Sequence, residues 1–270
     1  MKGKDHELDG TSWLDLSPIP TKIQGLSEST VQNAWQALSR EHILIPRLCR
    51  LVRTLHKLPQ NQDTKNQAIE LIQRLLDSNS CYELFQEAEI SGQLCLERTI
   101  STDIASYVPM SYHFGSVALA SLLSCYWVSR LFIYGLIDKL LTVVPSISHV
   151  FDTSSVHDEE VRLATAAIMV IQSSFNQPAT SSVDIMAWRI QEMRLTLLLQ
   201  ASFGAWTRIQ RRGGVLQNGG TTLNQARFMK KLCLDALNTI FLRTRNIHID
   251  ELGLEVVMDM FAGGPILSLA

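Results

Sequence analysis

The sequence is short of the residues that punctuate β structure: glycine occurs 14 times and proline 8 times in 270 residues. A sandwich or barrel of many short strands needs frequent turn signals, so that class is disfavoured. Charged residues are also scarce, at 19% against 46% apolar. A disordered chain has the opposite balance, so a sizeable core is expected. The formal net charge of -2 supplies no basic field for a phosphate backbone, and direct nucleic-acid binding by this chain is not expected.

Cysteine is equally uninformative as a scaffold. The five residues Cys49, Cys81, Cys95, Cys125 and Cys233 are widely separated, and none forms a Cys-x2-Cys pair. They read as free thiols in a reducing compartment rather than disulfides or zinc ligands. The first residues, Met-Lys-Gly-Lys-Asp-His-Glu, have no apolar run behind them and do not read as a secretory signal. No Asn-x-Ser/Thr site occurs. Phosphate loops, His-Glu-x-x-His and Gly-x-Ser-x-Gly are all missing. No catalytic residue, cofactor or metal site is therefore expected. His157-Asp158, with His113, His149 and Asp184, invites comparison with helical metal phosphohydrolases, but the spacing is arbitrary.

What the sequence does have is helical periodicity. Residues 1–26 read as a loosely ordered lead-in with a Trp13-Leu14-Leu16 patch, and 27–270 as one all-α domain. The spacing predicts a helix over 30–40, opened by a Ser29/Gln32 capping box. A second helix is predicted over 46–58, with Pro46 in its first turn. A third, capped by Asp63 or Thr64, runs to Leu76, and a short one covers 82–90. Residues 98–112, broken by Pro109, read as an extended connector. A long helix over 114–143, apolar nearly all round, belongs at the centre of an irregular multi-helix bundle. Its apolar stretch is long enough for a membrane span. Arg130 inside it argues against insertion, so no membrane contact is expected. Further helices are predicted over 158–175, 183–210, from Thr221 or Thr222 to Leu242, and from Asp250 to the Gly263-Gly264-Pro265 stop. Asp158, Glu159 and Glu160 read as first-turn charges, and Arg208, Arg211 and Arg212 as a solvated helix end. Arg47, Arg50, Arg53 and Lys57 read as another solvated face.

Arg130 is the most informative polar residue. A buried arginine must be paired. Two readings stay open: a structural ion pair, or one wall of an effector pocket with Trp127, Tyr134 and Trp206 as aromatic surface.

Several segments resemble the fungal-specific transcription factor domain, the helical regulatory region that follows a binuclear zinc-cluster module. Ser124-Cys125-Tyr126-Trp127 with Arg130 resembles its central helix. Glu160-Val161-Arg162-Leu163-Ala164 through Gln172-Ser173-Ser174 resembles the next. Leu197 to Arg208, with Phe203-Gly204-Ala205-Trp206, and Phe261-Ala262-Gly263-Gly264 resemble later parts. The similarity covers residues 28–264 and rests mainly on apolar core positions. It implies an all-α regulator of metabolic or secondary-metabolite genes. It further implies nuclear location (with the cytoplasm as alternative), protein partners or a homo- or heterodimer, and a small-molecule effector. The six clustered cysteines of the zinc module have no counterpart here. The alternative reading is an all-α small-molecule-binding protein or enzyme of a fungal biosynthetic pathway.

Overall fold

The computed structural model describes residues 22–77, 80–99, 102–175, 182–213 and 223–265. In chain order these form α1 (Glu28–Lys57), α2 (Gln62–Leu76), α3 (Ser80–Ile90), β1 (Leu94–Arg98), α4 (Thr102–Ala105) and β2 (Met110–Phe114). Then follow α5 (Val117–Val143), a 3-10 turn (Pro145–Ile147), α6 (Thr153–Phe175), α7 (Ser182–Arg211), α8 (Leu223–Arg245) and α9 (Glu251–Phe261). The Trp13-Leu14-Leu16 patch, Pro178 and the expected caps Thr221 and Thr222 lie outside the described residues.

Helix α5 is the axis of an all-α bundle, as its composition predicts. Ser116 opens it, its hydroxyl accepting from the Leu119 N–H at 3.2 Å. A helix apolar on every side is stable only when surrounded, and α1, α6 and α7 all pack against this one. Its first half joins α7 and α8 in one hydrophobic cluster. Its second half joins α1 and α2 in another.

Two predicted helices prove to be one. Proline inside a helix removes an N–H and crowds the preceding turn, so Pro46 reads as a start. Instead α1 runs through it. The buried stripe Val31, Ala34, Leu38, Glu41, Leu48, Val52 and Leu55 keeps one helical register on both sides, and Pro46 itself faces solvent. Burial of that stripe outweighs the lost backbone bond. The N-cap is Ser27 rather than Ser29, and its side chain makes no capping hydrogen bond.

Part of the expected connector is a hairpin. β1 and β2 pair antiparallel, from Leu94 opposite Phe114 to Arg98 opposite Met110. Only Leu94 of β1 is buried, so that strand carries no alternating pattern to read. On β2, Tyr112 stacks on Trp127 with centroids 5.6 Å apart and fixes the hairpin to α5.

The C-terminal helix closes the bundle. Asp250 caps α9, its carboxylate accepting from the Gly253 N–H at 2.7 Å. Asp250→Ala should lower stability by about 1 kcal/mol in urea denaturation, the ordinary loss for an N-cap. Past the helix, Gly263 takes φ +89°, and a Cβ there would lie 2.7 Å from Val52 Cγ1. Only glycine lets the chain cross α1 so closely. Arg53 of α1 ties the crossing down, Nη2 donating to Met260 O at 2.9 Å and Nε to Gly264 O at 3.1 Å. Arg53, expected on a solvated face, is thus a cap for α9.

Candidate functional site

The four residues proposed as an effector pocket are built into the core. Trp127 and Trp206 are enclosed within the same hydrophobic cluster, and Tyr134 packs partly buried beside it. Burial pushes the Tyr134 hydroxyl up to about 12. Arg130, 4% exposed, faces Glu41 of α1, with Nη2 to Oε1 at 3.4 Å. Its Nη1 donates to Leu75 O at 2.8 Å, closing the end of α2, and its guanidinium lies 5.4 Å from the Tyr126 ring centre. The structural ion pair, one of the two readings of Arg130, is present, and its carboxylate comes from the preceding helix α1.

A second ionic cluster was not foreseen, because its members read as unrelated. Glu160 is not a first-turn charge: α6 begins at Thr153, so Glu160 lies two turns in, 1% exposed. Two guanidiniums from α7 and its end meet it. Arg208 Nε donates to Oε1 at 2.8 Å, and Nη2 lies 2.7 Å from the same oxygen. Arg212 Nη2 donates to Oε2, and its Nη1 reaches Asp138 of α5 at 2.8 Å. Burial alone would push the Glu160 carboxyl up; Arg208 and Arg212 outweigh it and hold the carboxyl below the usual range. Spacing 208 to 212 places both guanidiniums on one helical face.

The space beside this cluster is a cleft of about 340 Å³ between α5, α7 and α9. Gly135, Asp138, Lys139 and Thr142 of α5 form one wall. Gly204, Thr207, Arg208 and Arg211, with Arg212 just beyond α7, form the second. Glu255, Met258 and Asp259 of α9, with Ala262, form the third. Ion pairs bolt α9 over it: Lys139 to Asp259 at 2.8 Å and Arg211 to Glu255 at 2.9 Å. Lys230 of α8 adds bonds to Glu251 and Glu255. None of Trp127, Arg130, Tyr134 and Trp206 lines this cleft.

The floor depends on two glycines. A Cβ at Gly135 would sit 2.9 Å from Arg208 Nη1, and one at Gly204 would meet Met258 at 3.1 Å and the same Nη1 at 3.5 Å. Their bare backbones let the Arg208 guanidinium lie between α5 and α7. Gly204 stands in a segment that carries the family resemblance, yet nothing in its spacing points to a cleft.

No family model matches this chain, and neither do curated proteins nor solved structures.

Proposed function

We propose that this chain is the regulatory domain of a fungal metabolic or secondary-metabolite gene regulator, acting through effector and partner binding without chemistry of its own. The observation that supports this reading is the cleft. Its three walls are α5, α7 and α9. Those are elements on which Ser124–Arg130, Leu197–Arg208 and Phe261–Gly264 carry the resemblance. A volume of about 340 Å³ is at the small end of metabolite pockets, roughly 300–1,000 Å³. A ligand there would touch the ion pairs that hold α9, so binding would bias how tightly α9 is held. The partner is a second copy or a related chain that carries a DNA-binding module, and the site of action is the nucleus.

The test is a reporter assay in fungal cells, with this chain fused to an unrelated DNA-binding module and tagged for microscopy. The fusion should change reporter output severalfold over the module alone, and the unfused chain should concentrate in the nucleus. Unchanged output with even distribution through the cell would sink the reading. That outcome would favour the alternative, a small-molecule-binding protein of a biosynthetic pathway, which the same cleft would serve.

A further inference from the structure

We infer that the cleft takes an uncharged small molecule through a carbonyl oxygen, which accepts a hydrogen bond from Nη1 of Arg208. This rests on the reading of the cleft as an effector site and names the class of effector. Arg208 spends Nε and Nη2 on Glu160 and Leu131 O. Its Nη1 hydrogen-bonds to none of the described residues and is not among the buried polar atoms sealed from solvent. A guanidinium held rigidly by a buried carboxylate, with one nitrogen left open beside two glycines, is a preorganised donor. A ligand oxygen can meet such a solvent-facing donor directly.

The charge balance selects the ligand class. Lys139, Arg208, Arg211 and Arg212 line the cleft with Asp138, Glu255 and Asp259, and buried Glu160 behind Arg208 and Arg212 brings the carboxylates level with the cations; Lys230, also on Glu255, is offset by Glu251. Each cation already has its carboxylate. Phosphate would bring added negative charge to a site whose cations are already paired, and its desolvation would be repaid only by breaking those pairs. A carbonyl needs only the one open donor. The rest of such a molecule can lie against Met258, Ala262 and the glycine backbones.

The probe is N-cyclohexylacetamide, titrated into the full chain and followed by amide-detected NMR. Cyclohexanecarboxylate and inorganic phosphate serve as charged comparators. The acetamide should bind saturably in the millimolar range expected of a probe this small, with shifts centred on Gly135 and Gly204. Arg208→Lys should weaken binding, but that change also disturbs Glu160. Thr142→Trp avoids the difficulty: Thr142 is exposed at the rim and, among the described residues, its hydroxyl bonds only to Asp138 O of its own helix. Tryptophan there should block the mouth, keep the fold, and weaken binding about tenfold or more. Absence of saturable acetamide binding, tighter binding of carboxylate or phosphate, or unchanged affinity in Thr142→Trp would each overturn the inference. A silent reporter would leave a positive titration standing, and a failed titration would leave the transcriptional reading with a different ligand.

Discussion

Glu160→Gln should destabilise the chain by about 3–5 kcal/mol, the range for removing one partner of a buried ion pair. The loss of a few methylenes is not involved, since glutamine keeps the shape. What disappears is the single negative charge that Arg208 and Arg212 share. Arg212 retains Asp138. Arg208, with its side chain 12% exposed, keeps Leu131 O but no carboxylate among the described residues. Urea denaturation monitored by circular dichroism measures the difference. Glu159→Gln, one residue away, is the control. Glu159 pairs with Arg162, whose side chain is 58% exposed, so that change should stay within about 0.5 kcal/mol. Equal losses from the two substitutions would mean that burial does not set the value of the pair.

The pH dependence of this cluster follows from the direction of its shift. The folded chain holds the Glu160 carboxyl below its unfolded value. Its contribution is therefore complete above the unfolded value near 4.5, and is lost as pH falls through the folded one. Acid should loosen α6 from α7, where Glu160 joins them.

Much of the fold was legible because apolar periodicity reports a local property. The stripe Ala68, Leu71, Ile72 and Leu75 is a helix face whatever it packs on. Asp250 before an apolar run is a cap whatever follows. The misreadings have the same root. Pro46 carries a strong local signal for a boundary, and the tertiary burial on both sides that overrides it has no local trace. β1 has one buried residue out of five, so its pairing partner defines it more than its own pattern does.

The candidate site was illegible for a sharper reason. Glu160 and Arg208 are 48 positions apart, and each has an ordinary local explanation, as first-turn charge and helix-end cation. Only their meeting makes them a site. Gly135 and Gly204 look like weak points in helices until the guanidinium between them is seen. Arg130 stood out because its local setting is apolar, and it proved to be structural. Local contrast thus finds buried charge, but not which buried charge borders open space.

Glu41→Gln should act in the opposite sense to Glu160→Gln, and only at higher pH. Glu41 is 2% exposed, and neither carboxylate oxygen accepts a hydrogen bond from the described residues. Burial pushes its carboxyl up to about 7, and the pull of Arg130 at 3.4 Å only partly counters it. The thiol of Cys81 on α3, which Glu41 also acts on, adds no counter-charge, because burial holds it up near 12. A carboxyl raised on folding favours the folded state while protonated. That contribution is complete below the unfolded value near 4.5 and is lost as pH rises through about 7. Across that window the native chain should lose about 3 kcal/mol through this group alone. Glutamine cannot ionise, so the variant should match the native chain near pH 4.5 and exceed it at pH 8 by about the same amount. Denaturation curves of both chains at the two pH values decide the matter. A variant less stable than the native chain at pH 8 would mean that Glu41 stays ionised in the fold and that Arg130 compensates its burial in full.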